Sequence, residues 1–211
     1  MTQSLGQLFD DASRGVFPSA DGTVDVLPAP DRVAAAIFSF SAHLVVATGV
    51  AASEVHARAH PDDFASWGSV APWLAERAGA TELSGDVLLC GIGGGIARPD
   101  VDLDLVEEGE IEHPRVARAT RYRDDVVVYV TRDRDGVLVL GRGIAGRHEV
   151  AFEVEPHARN GGLGRALVES ALAIVAEGEA VWAQVHPGNA ASLRTVLAAG
   201  FTPIGYEQLV V

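Results

Sequence analysis

Between residues 149 and 175 the chain changes its hydrophobic period, and that change constrains its fold more than any other feature. Residues 149–154 alternate as a strand. The run Val154-Glu155-Pro156-His157-Ala158-Arg159-Asn160-Gly161-Gly162-Leu163-Gly164 then breaks the pattern with glycine. After it, Leu163, Ala166, Leu167, Ser170, Ala171, Ile174 and Val175 recur at helical spacing. A strand that turns directly into an amphipathic helix lays that helix back on its own sheet and leaves the helix N-terminus open. Gly161, Gly162 and Gly164 carry no Cβ to hold a ligand away from the backbone, and the first amides of a helix lack intrahelical acceptors. Those donors and the helix dipole favour an anion, so the turn is a candidate pyrophosphate seat. An ordinary glycine-rich connection has the same local pattern, and the rest of the chain must decide between the two.

Punctuation and periodicity place the other elements. A short helix is expected over Leu5–Ser13, an extended segment over Thr23–Leu27, a buried strand or strand pair over 34–50, a helix over 71–78 and a strand over 86–90. A glycine-rich loop (91–100) and an acidic passage (102–112) follow, and a subdomain boundary is placed there, giving 1–112 and 113–211. The second part opens with the apolar strand 125–132, turns at Asp133-Arg134-Asp135-Gly136 into a hairpin partner over 137–140, and continues through strand 149–154, the glycine turn and its helix. Strand 181–185, a helix over 190–199 stopped by Gly200, and a closing strand pair over 201–211 complete the order.

Composition narrows the classes. The chain has 211 residues with 48% apolar content, enough for a buried core, and one cysteine, Cys90, so neither an internal disulfide nor a cysteine-based metal site is available. A reducing, cytoplasmic setting fits, and the first residues lack the pattern of a secretory signal. Residues 33–52 are apolar over about 20 positions, yet Ser39, Ser41, His43 and Thr48 interrupt them and no basic cluster flanks them, so buried strands are expected rather than a membrane span. The net charge of −13 is uneven: residues 1–112 carry 5 arginines against 18 acidic residues, residues 113–211 carry 11 against 11, and there is no lysine. Neither part offers the basic surface of a nucleic-acid partner. The neutral second part is the better host for a polyanion, whereas the acidic first part either attracts an amine-bearing substrate or serves solubility alone.

The order strand, Arg159-x-x-Gly162-x-Gly164, helix, strand, Asn189-x-x-Ser192, helix, Gly200-Phe201 resembles the GCN5-related N-acetyltransferase (GNAT) superfamily, over roughly residues 121–211. The resemblance implies an α/β (mixed α+β) fold: a mixed sheet whose central parallel strands splay, flanked by helices, with acetyl-CoA in the gap. It implies an acyl-CoA-dependent N-acyltransferase acting on a primary amine of a small molecule or peptide, or else a noncatalytic CoA-binding module of the same fold. Cofactor contacts are then expected from the strand at Phe152 and Val154, from the turn at Arg159, Asn160, Gly161, Gly162, Leu163, Gly164 and Arg165, and from Asn189 and Ser192. By its own chemistry Asn189 is also a helix N-cap. The first part is either a lid or a degenerate second copy of the fold, and the family forms both monomers and homodimers.

Amine attack on a thioester needs a base, an oxyanion donor and a route for the leaving thiolate. Many family members carry a glutamate eleven residues before the motif arginine; that place is His148 here, with Glu149 beside it. Alternation sets Glu149, Glu153 and Glu155 on one face and His148, Val150, Phe152 and Val154 on the other, but a one-residue bulge would exchange them, so Glu149, Glu153 and His148 all stand as candidates. The tyrosine acid found in many members is replaced by Val196. Tyr206 or Tyr122 is the candidate substitute, unless the thiolate, with a thiol pKa of about 8.5, leaves with help from solvent. Gly91-Ile92-Gly93-Gly94-Gly95 misses the dinucleotide spacing because Ile96 holds the last glycine place. Asp100, Asp102 and Asp104 alternate without the rest of a calcium loop, and His43, His56, His60, His113 and His186 show no ligand spacing, so no metal is assigned.

Overall fold

The computed structural model describes residues 3–59, 64–94, 103–106 and 111–211. The chain forms two compact units, Met1–Leu88 with Pro203–Val211, and Leu89–Thr202. This division differs from the one drawn at the charge boundary, because the second unit reaches back to Leu89 and the last nine residues join the first.

The first unit holds α1 (Leu5–Ser13), β1 (Thr23–Leu27), β2 (Ala35–Phe40), β3 (His43–Thr48), α2 (Ala52–His56), α3 (Phe64–Ala78), the start of β4 (Leu83–Ile92) and nearly all of the last strand, Thr202–Val210. Ser4 caps α1 by accepting from the Gln7 amide at 3.2 Å. The apolar run 34–50 is the antiparallel hairpin of β2 and β3, paired from Ala35↔Thr48 to Phe40↔His43 and buried at every position. It is apolar on both faces because both are covered. Phe9 of α1 stands edge-on to Phe38, whereas Ala35, Ile37, Leu44 and Val46 pack with Val55 of α2 and Val70, Ala71 and Leu74 of α3. β1 lies parallel to β3 from Thr23↔His43 to Leu27↔Ala47. The closing pair expected over 201–211 is a single strand, antiparallel to β2 from Tyr206↔Ser39 to Val210↔Ala35.

In the second unit the remainder of β4 is followed by β5 (Leu103–Val106), α4 (Pro114–Tyr122), β6 (Asp124–Thr131), β7 (Gly136–Arg142), β8 (His148–Val154), α5 (Leu163–Ile174), β9 (Ala180–Val185) and α6 (Ala190–Ala198); the Thr202–Val210 strand is β10. The strand order is β9-β8-β7-β6-β5. The β6–β7 turn is built by side chains: Thr131 Oγ1 donates to Asp133 Oδ1 at 2.6 Å and accepts from the Gly136 amide at 2.9 Å. α4 covers one face, its Val116 and Ala119 on Val128, Val130, Val137, Val139 and Ala151. α5 covers the other; a Cβ on Gly136 would press on Leu167 at 3.0 Å and approach Leu163 at 3.4 Å.

Candidate functional site

The site grows from where β8 parts from its neighbour. β8 pairs with β7 over seven consecutive residues, Gly136↔Val154 to Arg142↔His148, with no shift in register. On its other edge β8 lies parallel to β9 only at His148↔Val181, Glu149↔Trp182 and Val150↔Ala183. Ala151, Phe152, Glu153 and Val154 continue beyond that shared stretch, so the second unit is a mixed sheet with a central parallel pair that opens toward its C-terminal ends. A strand edge released in this way presents main-chain donors and acceptors to whatever enters the gap.

At the open end β8 runs into a 3₁₀ turn, Pro156–Ala158, tied back to the β6–β7 turn. The Glu155 amide donates to Asp135 O at 2.8 Å, and His157 Nε2 lies 2.8 Å from Asp135 Oδ1. Arg159 Nε donates to Val154 O at 2.9 Å, fixing the loop to the end of its own strand. Asn160 (φ 66°) and Gly162 (φ 91°) take left-handed backbone, which turns the chain into α5. The first helical bond is Ala166 N to Gly162 O at 3.1 Å. The amides of Leu163, Gly164 and Arg165 therefore have no intrahelical acceptor, and among the described residues no other acceptor replaces it. A Cβ on Gly162 would meet nothing within 4 Å, so the space beside these donors is open.

The glycines of this turn divide by role. Gly162 borders open space and a Cβ on Gly161 would meet only the Ala158 carbonyl at 3.7 Å, but Gly164 faces inward, where a Cβ would touch Phe152 at 3.4 Å, Thr195 of α6 at 3.5 Å and Val154 at 3.6 Å. Gly164 thus brings α5, α6 and the open half of β8 close together, and its expected part beside a cofactor reduces to its amide. The side chains of Phe152 and Val154 lie under it. Arg165 pairs with Glu169 at 2.7 Å along the exposed side of α5. Asn189 caps α6, accepting from Ser192 N at 3.1 Å, so the capping role read from its chemistry is present.

Because β8 carries no bulge against β7, the simple alternation of faces holds. Glu149, Ala151 and Glu153 lie on the α4 face, and His148, Val150, Phe152 and Val154 on the α5 face. Glu149 is 6% exposed; its Oε1 accepts from Arg147 Nε at 2.7 Å and its Oε2 from Arg123 Nε at 2.9 Å. Burial by itself would raise this carboxyl, but Arg147 and Arg123 outweigh it and hold the group below the usual carboxylate range. An ionised carboxylate with both oxygens engaged is a poor proton acceptor, and its geometry is that of a structural hub. Glu153 is half exposed and shares only one oxygen, Oε2, with Arg115 Nε at 3.0 Å. His148 pairs with Glu179 at 2.7 Å. Tyr206 belongs to the first unit, where burial and the Asp86 carboxylate raise its hydroxyl pKa and a Cβ on Gly85 would collide with its Oη.

Other sequence signals resolve into packing. Gly93 and Gly94 cross the end of α5: Gly94 N donates to Leu172 O at 2.8 Å, Gly93 N to Glu179 O at 2.7 Å, and a Cβ on Gly93 would strike the Ala176 carbonyl. The Gly94 amide caps α5 and the Gly93 amide is held by the Glu179 carbonyl before β9, so neither is offered to a nucleotide. Residues 95–100, with Asp100, Asp102 and His60, lie outside the described residues; Asp104 is exposed on β5. His113 caps α4, His186 accepts from Gly188 N at 3.0 Å, and His56 Nε2 lies 3.0 Å from Val24 O. Among the described residues no group of three His, Cys, Asp or Glu could hold a metal ion, and no helix is long and apolar enough to cross a membrane. Burial pushes the Cys90 thiol up to about 12, which removes it as a nucleophile. Sequence reasoning missed Arg123, Arg147 and Gly143, which surround Glu149; a Cβ on Gly143 would overlap that carboxylate.

Residues 123–201 match the model of the acetyltransferase (GNAT) family. Among solved structures the chain is similar to a GCN5-related N-acetyltransferase from Kribbella flavida, at 18% identity and a TM-score of 0.45, over 66% of this chain and 62% of that one. It is also similar to a conserved protein of unknown function from Staphylococcus epidermidis, at 13% identity and a TM-score of 0.45, over 70% and 66% of the two chains. The matched portions thus span just under two thirds of both structures. No curated protein matches.

Proposed function

With residues 123–201 matching the model of the acetyltransferase (GNAT) family, we propose that this chain transfers an acyl group, acetyl before others, from coenzyme A to a primary amine. The observation that carries the reading is the opening of β8 from β9 directly below a helix N-terminus with free amides. Those amides and the space beside Gly162 suit a pyrophosphate, and the released edge of Ala151–Val154 suits the amide-bearing arm that follows it.

In this reading the amides from Asn160 to Arg165 take the pyrophosphate, Arg159 steadies the loop through Val154 O, and Asn189 with Ser192 holds the start of α6 beside them. A β8 main-chain N–H supplies the oxyanion donor. Glu153 is the base we favour: it stands in the opened half of β8, with one oxygen left by Arg115. Glu149, held by two guanidinium groups, serves the fold. His148, anchored to Glu179 on the α5 face, is the second choice. The departing thiolate leaves with help from solvent.

Calorimetric titration of the full chain with acetyl-CoA tests the donor. Saturable binding is expected, and Gly162→Val, which forces a branched side chain into left-handed backbone beside the amides, should weaken it at least about tenfold, or about 1.4 kcal/mol. A wild type without saturable binding would end the reading. Val196, fully buried where many relatives carry a tyrosine, favours one alternative, a binder without turnover. Thiol release from acetyl-CoA in the presence of benzylamine, spermidine or an alanine-terminated tetrapeptide separates the two: release at the rate of the amine-free control identifies the binder.

A further inference from the structure

α4 carries positive charge that nothing in its own sequence offsets. Pro114-Arg115-Val116-Ala117-Arg118-Ala119-Thr120-Arg121-Tyr122 holds three arginines and no acidic residue. A solvated helix normally balances such charges with acids three or four positions away; here the i, i+3 neighbours are arginine again, an arrangement that destabilises the helix. Val116 and Ala119 turn inward, and at about 100° per residue Arg115, Tyr122, Arg118 and Arg121 then share one arc of about 120° on the side away from Thr120. Tyr122 organises that strip: the Arg118 and Arg121 guanidinium carbons stand 5.2 Å and 5.0 Å from its ring centre. Among the described residues no carboxylate pairs with Arg118.

The strip reaches the favoured base. Arg115 Nε donates to Glu153 Oε2 at 3.0 Å, and among the described residues its two terminal nitrogens meet no acceptor. Further back on this face Ala151 is packed with Val116 and Ala119 and offers no way in. Glu153 is open to water at the first turn of α4, its side chain 38% exposed beside Arg115 at 44%. Resting on the acyltransferase reading, we infer that the acceptor is acidic: an amine whose carrier bears carboxylates close behind it, received by Arg115 and Arg118. The terminal nitrogens of Arg115 present parallel N–H groups to a carboxylate while Nε keeps Glu153 in place, so one guanidinium aligns the acceptor with the base. A neutral carrier leaves the strip unanswered, and a cationic one meets repulsion. Selection therefore falls on the charge of the carrier, whereas Glu153 deals with the amine alone.

The test uses the full chain, acetyl-CoA and three C-terminally amidated tetrapeptides: Ala-Asp-Glu-Ala, its neutral isostere Ala-Asn-Gln-Ala, and Ala-Arg-Arg-Ala, each read as kcat/KM by thiol release. The acidic peptide should lead the neutral one at least about fivefold at about 50 mM salt, with the cationic one last, and the lead should shrink by about 300 mM. Arg118→Gln should cut the lead to about twofold, Arg118→Lys should keep most of it, and Arg118→Glu should reverse it. A merely structural role for Arg118 would leave the ratio between peptides unmoved. If Arg118→Glu loses its melting transition, Arg118→Gln is read in its place. Equal kcat/KM for the acidic and neutral peptides in wild type overturns the inference. So does an acidic preference that the Arg118 variants leave intact, or a wild type that binds acetyl-CoA and transfers to none of the three. Absence of acetyl-CoA binding in the wild type sinks the acyltransferase reading itself, and this inference with it.

Discussion

At Glu149 one carboxylate receives two guanidinium groups in a pocket that Gly143 makes possible. Removing one member of such a cluster strands the others without compensation, so Glu149→Ala should cost about 3–5 kcal/mol in urea denaturation at pH 7. The carboxyl is held below its ordinary value of 4.5 in the folded chain, so its contribution is fully present above pH 4.5 and is lost as pH falls through the lower folded value. Melts recorded from pH 6 down to pH 3 should show wild type losing more stability than Glu149→Gln; parallel curves would contradict the assignment. Gly143→Ala should cost about 1–3 kcal/mol by driving a Cβ into that carboxylate, whereas Gly49→Ala, with open space around it, should stay within about 0.5 kcal/mol. Alternation along β8 made the faces of Glu149 and Glu153 legible in the sequence. What separates a locked carboxylate from an available one was not, because it depends on Arg123 arriving from 26 residues away.

Where local period and long-range packing agree, the elements follow the sequence closely: the β6–β7 hairpin, β8, the glycine turn, α5, β9 and α6 all lie where periodicity and capping residues put them. They part where glycine or proline serves a distant neighbour. α3 begins at Phe64 although Gly68 and Pro72 weaken its pattern, and Pro72 stays inside the helix. Residues 201–211, expected as a strand pair, hold the single strand β10, which carries both Pro203 and Gly205. Gly205 lets β10 pass Ser39 O, which an added Cβ would approach to 2.6 Å. Gly93 has the same relation to the end of α5, so Gly93→Ala should push that helix end from its place and cost about 1–3 kcal/mol. Thermal melts of this variant check the claim, and an unchanged midpoint would show that the crossing is loose.

The charge step near residue 112 suggested a division of the chain, yet composition carries no information about strand order. In the first unit β10 lies between β2 and β4, so this sheet is finished by residues that follow the whole second unit. A fragment of residues 1–112 should accordingly show no cooperative melt by circular dichroism, because its buried hairpin keeps an unpaired apolar edge at β2. A sharp transition in that fragment would refute the dependence. The same interlacing sets a schedule during synthesis. The 114 residues Leu89–Thr202 must leave the ribosome before β10 exists. At about 5–20 residues per second, the nascent chain carries an unfinished sheet for about 6–23 s. For that interval β2 keeps an unpaired edge, and the first unit closes only when the ribosome has crossed the whole stretch between its two halves.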